Sequence, residues 1–490
     1  MKLLLSRIGE FIVPTDQAAA GHATTGQYDG GATAQGYSID SRTVQPGELF
    51  FAVKGERLDG HDFVEQALGR GAIAAVVEKG QLARYSNATG LLAVEDTLAA
   101  LQTLATAVRK IWGKTAIAIT GSMGKTTTKE AMAHLLAIKY RVHRTKGNFN
   151  NRFGLPLGLL TLEPEYDVAV VEMGMSHPGE ISALARIALP KQAVVTNVAP
   201  AHLENFDSIA GIARAKYELI EALPRGGTAV LNADDEYVSQ FGRDLKGKVV
   251  LFGVKAEAHV PAGVPADVRA ENIEVLGAEG TRFDLVSHEM RQPVQSPLLG
   301  RHNVYNVLAA AAVALEHGIT PSEIAAALPS LQPADKRGQV VQVGNTTVLY
   351  DCYNSSPKAL MAAVDTLSVM PARRRIVVAG EMLELGATGE QLHRECGRYI
   401  AGRQAGSEID FLLGVRGLAK PMVEAAREAG IKAEFVATPE EAGEWLARET
   451  RDGDAVLLKA SRGVKLEKAL ETWQRKIGVP NAPGAGELRT

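Results

Sequence analysis

Short, continuous apolar runs alternate along this chain with stretches whose apolar positions recur at three- and four-residue spacing. The run TAIAIT (115–120) is uninterrupted and rich in β-branched residues, and it predicts a strand buried on both faces. DVAVVEM (167–173), QAVVTNV (192–198) and GTAVLN (227–232) repeat the pattern, with helical spacing between them, as in 125–139. Such alternation predicts a mostly parallel, doubly wound sheet. Before it, residues 1–112 read as a smaller α/β unit. A strand end at 49–53 follows the turn Pro46-Gly47, and residues 63–79 read as helix, glycine turn and buried strand. The amphipathic segment TLAALQTLATAVRKIWG (97–113) predicts the helix that closes this unit. A more polar stretch, 254–297, precedes a helix over 303–318. The proline-containing, polar segment 328–340 reads as a linker. Beyond it TTVLYDCYN, RRIVVAG, IDFLLGV and DAVLLKA predict a third α/β domain on a parallel sheet. The expected domains are 1–112, 113–330 and 331–478, with 479–490 a disordered tail.

Composition changes this picture little. The 490 residues are 46% hydrophobic and 22% charged with net charge −3, so no bulk attraction to nucleic acid or anionic membrane follows. Two cysteines, Cys352 and Cys396, exclude a disulfide framework and suit a reducing cytosol. The apolar start MKLLLSRIGEF is interrupted by Arg7 and Glu10 and does not read as a signal peptide. No apolar run is long enough to predict a membrane span.

The chemistry begins at ITGSMGKTTT, from Ile119 to Thr128. Strand, glycine loop and helix follow in the order a phosphate-binding loop needs. The loop is clipped, however: Gly121 replaces the usual first glycine two positions further upstream, giving G-x-x-G-K-T. The N–H groups of Gly121, Ser122, Met123, Gly124 and Lys125, with Thr127 behind them, would face phosphate oxygens at a helix start. Lys125 would reach the β- and γ-phosphates and the Thr126 hydroxyl would bind Mg²⁺. No N-K-x-D guanine-reading motif is present, which points to ATP. Glu172 and His202 lie at or just past the carboxyl ends of predicted strands, where ligands gather in open α/β sheets.

The segments ITGSMGKTTT, VVEMGMSHPGEI, TNVAPAHLENF, ARAKYELI, GRHNVYNVLAAAA, DCYNSSPKAL and LLKASRGVKLE together resemble the Mur ligase family, in family order and over nearly the whole chain. The resemblance implies a three-domain α/β architecture: a UDP-sugar-binding N-terminal domain, a P-loop central domain on a mostly parallel sheet, and a Rossmann-like C-terminal domain. It implies ATP-dependent amide formation through an acyl phosphate, in peptidoglycan precursor synthesis in the cytoplasm, by a monomer. The segments KGNFNNRFGLPLGLL and HNVYN resemble the ligase that joins D-Ala-D-Ala to UDP-MurNAc-tripeptide. By resemblance, two Mg²⁺ ions are held by Thr126, Glu172 and His202, with Lys216 carbamylated as a further metal ligand. Lys125, Lys216, Glu172 and His202 are the implied catalytic set.

Asn303, Asn306, Arg337 and Asp351 are implied on the adenine and ribose side, with Tyr353 and Asn354 as nucleotide-side or hinge residues. His302 and Asn303 read equally as helix N-caps. Ser41 and Arg42 are implied at the UDP-sugar, and Lys459, Ser461 and Arg462 at the dipeptide. Tyr350, Ser356 and Glu381 depart from the family's usual Asp, Asn and Asp. Cys352, beside Asp351, reads as a small buried apolar residue. Three alternatives remain at this point: the ligase that adds the third residue, a nucleotide-binding protein without ligase activity, and a P-loop kinase.

Overall fold

The computed structural model describes residues 1–13, 28–145, 147, 149–200, 204–254, 266–403 and 408–478. The expected tail 479–490 lies outside them.

In the N-terminal unit the strands Gly36–Ser38, Glu48–Phe51, Ala74–Glu78 and Leu91–Val94 pair in parallel in that order. The apolar start of the chain is core: the helix Leu5–Ile12 buries Leu5, Ile8 and Ile12. The closing helix, Thr97–Trp112, is capped by Asp96, whose carboxylate accepts from the N–H groups of Leu98 and Ala99. It ends at Gly113 with φ +68°.

Among the described residues the central sheet has nine strands. From one edge, Val142–Arg144, Val168–Glu172, Thr115–Thr120, Gln192–Val195, Thr228–Asn232, Lys248–Gly253 and Val268–Val275 are parallel. Thr281–Ser287 and Met290–Ser296 extend it antiparallel. The polar stretch 254–297 thus contains three strands. Their pattern is half-buried: Val268 and Ala270 are buried while Arg269 and Glu271, alternating with them, stay partly exposed. The run was not continuous because one face meets water.

The chain leaves the strand Thr115–Thr120 toward one edge and later returns on its other side. The phosphate loop therefore opens between Val168–Glu172 and Gln192–Val195, at the topological switch point. The loop helix Lys125–Leu136 packs in one apolar cluster with the alanine-rich helix Arg301–Glu316.

The third sheet has the order Gln339–Val343, Thr346–Tyr350, Asp454–Lys459, Arg374–Gly380, Phe411–Val415 and Lys432–Val436. The first pair is an antiparallel hairpin and the rest are parallel. The expected linker is shorter than its composition suggested. Leu328–Ser330 is a helical turn and Gln339 already belongs to a strand, which leaves 331–338.

The cores divide unevenly. Leu101, Leu104 and Val108 of the closing helix join Leu49 and Val76 of the first sheet with Ala116, Ala118, Leu155 and Leu159 of the central layer in one cluster. Arg109 of the same helix donates from Nε to the carbonyl of Ala188 at 2.7 Å and from a terminal nitrogen to that of Leu189 at 3.1 Å. The third domain has two apolar clusters of its own; among the described residues Leu299 joins them from the central part. No helix of the described residues is long and apolar enough to cross a membrane.

Candidate active site

Two glycines shape the phosphate loop. Gly121 has φ +150° and a Cβ there would lie 1.9 Å from Thr196 Oγ1. Gly124 has φ +82° and its Cβ would lie 2.2 Å from Asn306 Oδ1. Both positions therefore require the missing side chain. The loop is tied to the end of the neighbouring strand. Met123 N donates to Asn197 Oδ1 at 3.0 Å, Thr196 Oγ1 donates to Met123 O at 2.6 Å, and Ser122 Oγ donates to Ala199 O at 2.9 Å. Lys125 folds back, its Nζ donating to Gly121 O at 2.8 Å. Burial lowers the Lys125 pKa, partly countered by Glu172. Thr127 lines the same cleft.

Glu172 is buried at its strand end. Thr126 Oγ1 donates to its Oε2 at 2.8 Å and Asn150 Nδ2 to its Oε1 at 2.9 Å. Lys129, fully buried, stands 4.0 Å from the same carboxylate. The paired oxygens of Thr126 and Glu172, beside the P-loop lysine, are the hard donors Mg²⁺ prefers. Among the described residues no group of three or more His, Cys, Asp and Glu could hold a metal alone. A cation here would need oxygens from the nucleotide or water. His202 lies outside the described residues. Lys216, on the helix Ile209–Glu221, is 3% exposed and lines the same cleft. Burial, and then the charge of Lys125, push its pKa well below that of an ordinary lysine.

The helix Arg301–Glu316 has Gly300 at its N-cap with no side-chain cap bond, so neither His302 nor Asn303 caps it. Asn303 and Asn306 form a relay instead. Thr128 Oγ1 donates to Asn306 Oδ1 at 3.1 Å, Asn306 Nδ2 to Asn303 Oδ1 at 2.7 Å, and Asn303 Nδ2 to Leu299 O at 2.7 Å. Both asparagines line the cleft while locking the loop helix to its neighbour.

The third domain lines the remaining side of the cleft. Arg337 donates to Thr126 Oγ1 at 3.2 Å and stacks on Tyr353 at 4.0 Å. Lys459, buried, donates to Asp351 Oδ2 at 2.6 Å and to Asn354 O at 3.1 Å. Ser461 Oγ accepts from Leu383 N at 3.0 Å. Arg462 pairs with Glu467 at 3.3 Å and reaches into the cleft. The whole cleft encloses ≈ 1250 Å³ and draws on all three parts of the chain.

Ser41 and Arg42 do not line it. Ser41 Oγ donates to Gln66 Oε1 at 2.7 Å, and Arg42 pairs with Asp40 within its own exposed turn. The N-terminal unit reaches the cleft through Glu56 and Gln102, which sequence reasoning did not single out. It also missed Lys129 and Asn150. Lys129 had a signal: it lies four residues beyond Lys125, on one helix face.

The departing residues have local roles. Tyr350 and Cys352 are buried together, and burial pushes the Cys352 thiol up to about 12. Ser356 Oγ lies 3.5 Å from Met123 Sδ of the phosphate loop. Glu381 Oε1 accepts from Leu418 N at 3.1 Å.

Residues 119–314 match the Mur ligase middle domain, 336–462 the Mur ligase glutamate ligase domain, and 33–109 the Mur ligase family catalytic domain. The chain is 34% identical to the UDP-N-acetylmuramoyl-tripeptide--D-alanyl-D-alanine ligase of Bacillus subtilis, over 89% of this chain and 92% of that one. It is 36% identical to the Escherichia coli enzyme of the same name, over 90% and 94%. A crystal structure of MurF from Acinetobacter baumannii superposes with TM-score 0.82 at 29% identity, covering 97% of this chain and 99% of that one. MurF ligase from Thermotoga maritima in complex with ADP gives 0.75 at 29%, covering 91% and 98%.

Proposed function

The chain belongs to the Mur ligase family, and from that premise we propose that it joins D-alanyl-D-alanine to UDP-N-acetylmuramoyl-tripeptide, cleaving ATP to ADP and phosphate. The observation that carries the reading is one cleft in which a phosphate loop faces cations of a separate domain. In the reaction, a terminal carboxylate oxygen of the tripeptide attacks the γ-phosphorus and ADP leaves. The dipeptide amine then attacks the acyl carbonyl, loses its proton, and expels phosphate.

The phosphate loop binds the nucleotide through its N–H groups, and Lys125 neutralises charge on the transferred phosphoryl. Thr126 and Glu172 fit Mg²⁺, which would screen the phosphates from the incoming carboxylate. His202 and Lys216 are the proposed ligands of a second ion. A carbamate on Lys216 would turn a cation that repels metal into an anion that binds it; a buried lysine with a lowered pKa is disposed to be the neutral amine that reacts with CO₂. Arg337 and Asp351 serve the nucleotide, with Asn303 and Asn306 behind the loop. Lys459, Ser461 and Arg462 serve the dipeptide, Arg462 pairing with its carboxylate. Ser41 and Arg42 are retained for the UDP end, outside the cleft proper. Closure of the three domains keeps water from the acyl phosphate, in what we take to be a cytoplasmic step of peptidoglycan precursor synthesis.

The test is phosphate release from ATP with Mg²⁺ and bicarbonate. Release that requires both UDP-MurNAc-tripeptide and D-Ala-D-Ala is expected. Turnover with the UDP-dipeptide and a free diamino acid instead would move the assignment one step earlier. Isotopically labelled bicarbonate should give a carbamate resonance in the wild type and none in Lys216→Met.

A further inference from the structure

Tyr353 lines the cleft between two candidate binding regions. Its ring carries the Arg337 guanidinium at 4.0 Å from the centroid and the Arg462 guanidinium at 5.6 Å. The two arginines point to opposite ends of the chemistry. Arg337 donates to Thr126 Oγ1 on the phosphate loop. Arg462 has Glu467 as its ion-pair partner, and its side chain is 59% exposed and lines the cleft.

The ring's hold on Arg337 is doubled by the backbone. Tyr353 N donates to Lys336 O at 3.2 Å. Lys336 has φ +56° and Gly338 φ +66°, so Arg337 sits in a tight turn with a left-handed residue on either side. Lys336 N in turn donates to Gln339 Oε1 at 3.0 Å. A long guanidinium side chain loses rotamer freedom when it is fixed, and a flat aromatic face accepts it without a hydrogen-bond geometry to satisfy. One ring with two guanidiniums therefore sets the direction of both.

We propose that Tyr353 is a positioning residue shared by the two substrates: its ring aims Arg337 at the nucleotide's phosphates and Arg462 at the carboxylate of the acceptor dipeptide. The acceptor half rests on the ligase reading above. The residue contributes no atom to the reaction. Its loss leaves both arginines in place but undirected. An aromatic–guanidinium contact is worth roughly three- to thirtyfold in binding.

The test compares wild type, Tyr353→Phe and Tyr353→Leu as full chains. ATP affinity is measured by equilibrium dialysis without other substrates, and the KM for D-Ala-D-Ala by phosphate release. Tyr353→Leu should weaken ATP binding and raise the dipeptide KM, each about three- to thirtyfold, with kcat changed less than either. Tyr353→Phe should restore most of both, because it keeps the ring face. Melting temperatures of all three should agree closely; if Leu unfolds the chain, Tyr353→Met, which fills the space without a π face, replaces it. A change in one substrate alone, or an equal loss in Phe and Leu, overturns the inference and leaves the ligase reading intact. Wild-type protein that releases no phosphate in response to the dipeptide overturns the ligase reading and the acceptor half with it.

Discussion

A methyl group added at Gly124 would meet Asn306 Oδ1 at 2.2 Å on a backbone at φ +82°. Gly124→Ala should therefore cost stability, about 1–3 kcal/mol, and weaken ATP binding further by breaking the Thr128–Asn306–Asn303 relay. Thermal melting with and without ATP separates the two; an unchanged apo melting temperature would mean the relay yields freely. Cys352 is a second residue-scale case. Its thiol is buried and pushed up to about 12, and Cys396 is likewise buried and raised to about 12. Neither should react with a thiol reagent at pH 8 until the protein is denatured, when both should. Rapid labelling of the native chain would contradict this burial. The loop residues were legible in the sequence because their chemistry is contiguous, Gly121 to Thr126. Asn150 was not, since only the pairing of Val142–Arg144 with Val168–Glu172 carries it to Glu172. Asn303 and Asn306 were legible as residues, but not that their amides bond one another.

At the scale of elements, the helix Pro321–Ala327 starts with a full capping box. Thr320 Oγ1 accepts from Glu323 N, and Glu323 Oε2 accepts from Thr320 N at 2.7 Å. The Thr320 N–H, then Lys139, hold the Glu323 carboxyl down to about 2. A carboxyl depressed in the folded state stabilises above its unfolded pKa of about 4.3, and that contribution is lost as pH falls through the folded value. Glu323→Gln should thus melt below wild type at pH 7, with the gap narrowing from about pH 4.5 downward. A gap constant between pH 7 and pH 3 would assign the loss to shape, not charge. Continuous strands such as Thr115–Thr120 and Arg374–Gly380 were read at their true bounds, because burial on both faces makes the run uninterrupted. Val268–Val275 escaped because only alternate residues are buried. Gln339–Val343 escaped because it is an edge strand whose Gln339, Val340 and Gln342 remain partly or fully exposed.

At the scale of the molecule, the third domain touches the phosphate loop through polar contacts, Arg337 on Thr126 and Ser356 on Met123. The N-terminal unit is joined otherwise. The helix Thr97–Trp112 belongs to one apolar cluster with the first sheet and the central layer. Three domains in sequence should therefore unfold as two cooperative units. Calorimetry of the ligand-free chain should show two heat-absorption peaks: residues 1–330 lose structure together, and 331–478 separately. A fragment ending at residue 112 would bare the apolar face of its last helix to solvent and aggregate, whereas a cut within 331–338 should release two pieces that each keep a melting transition.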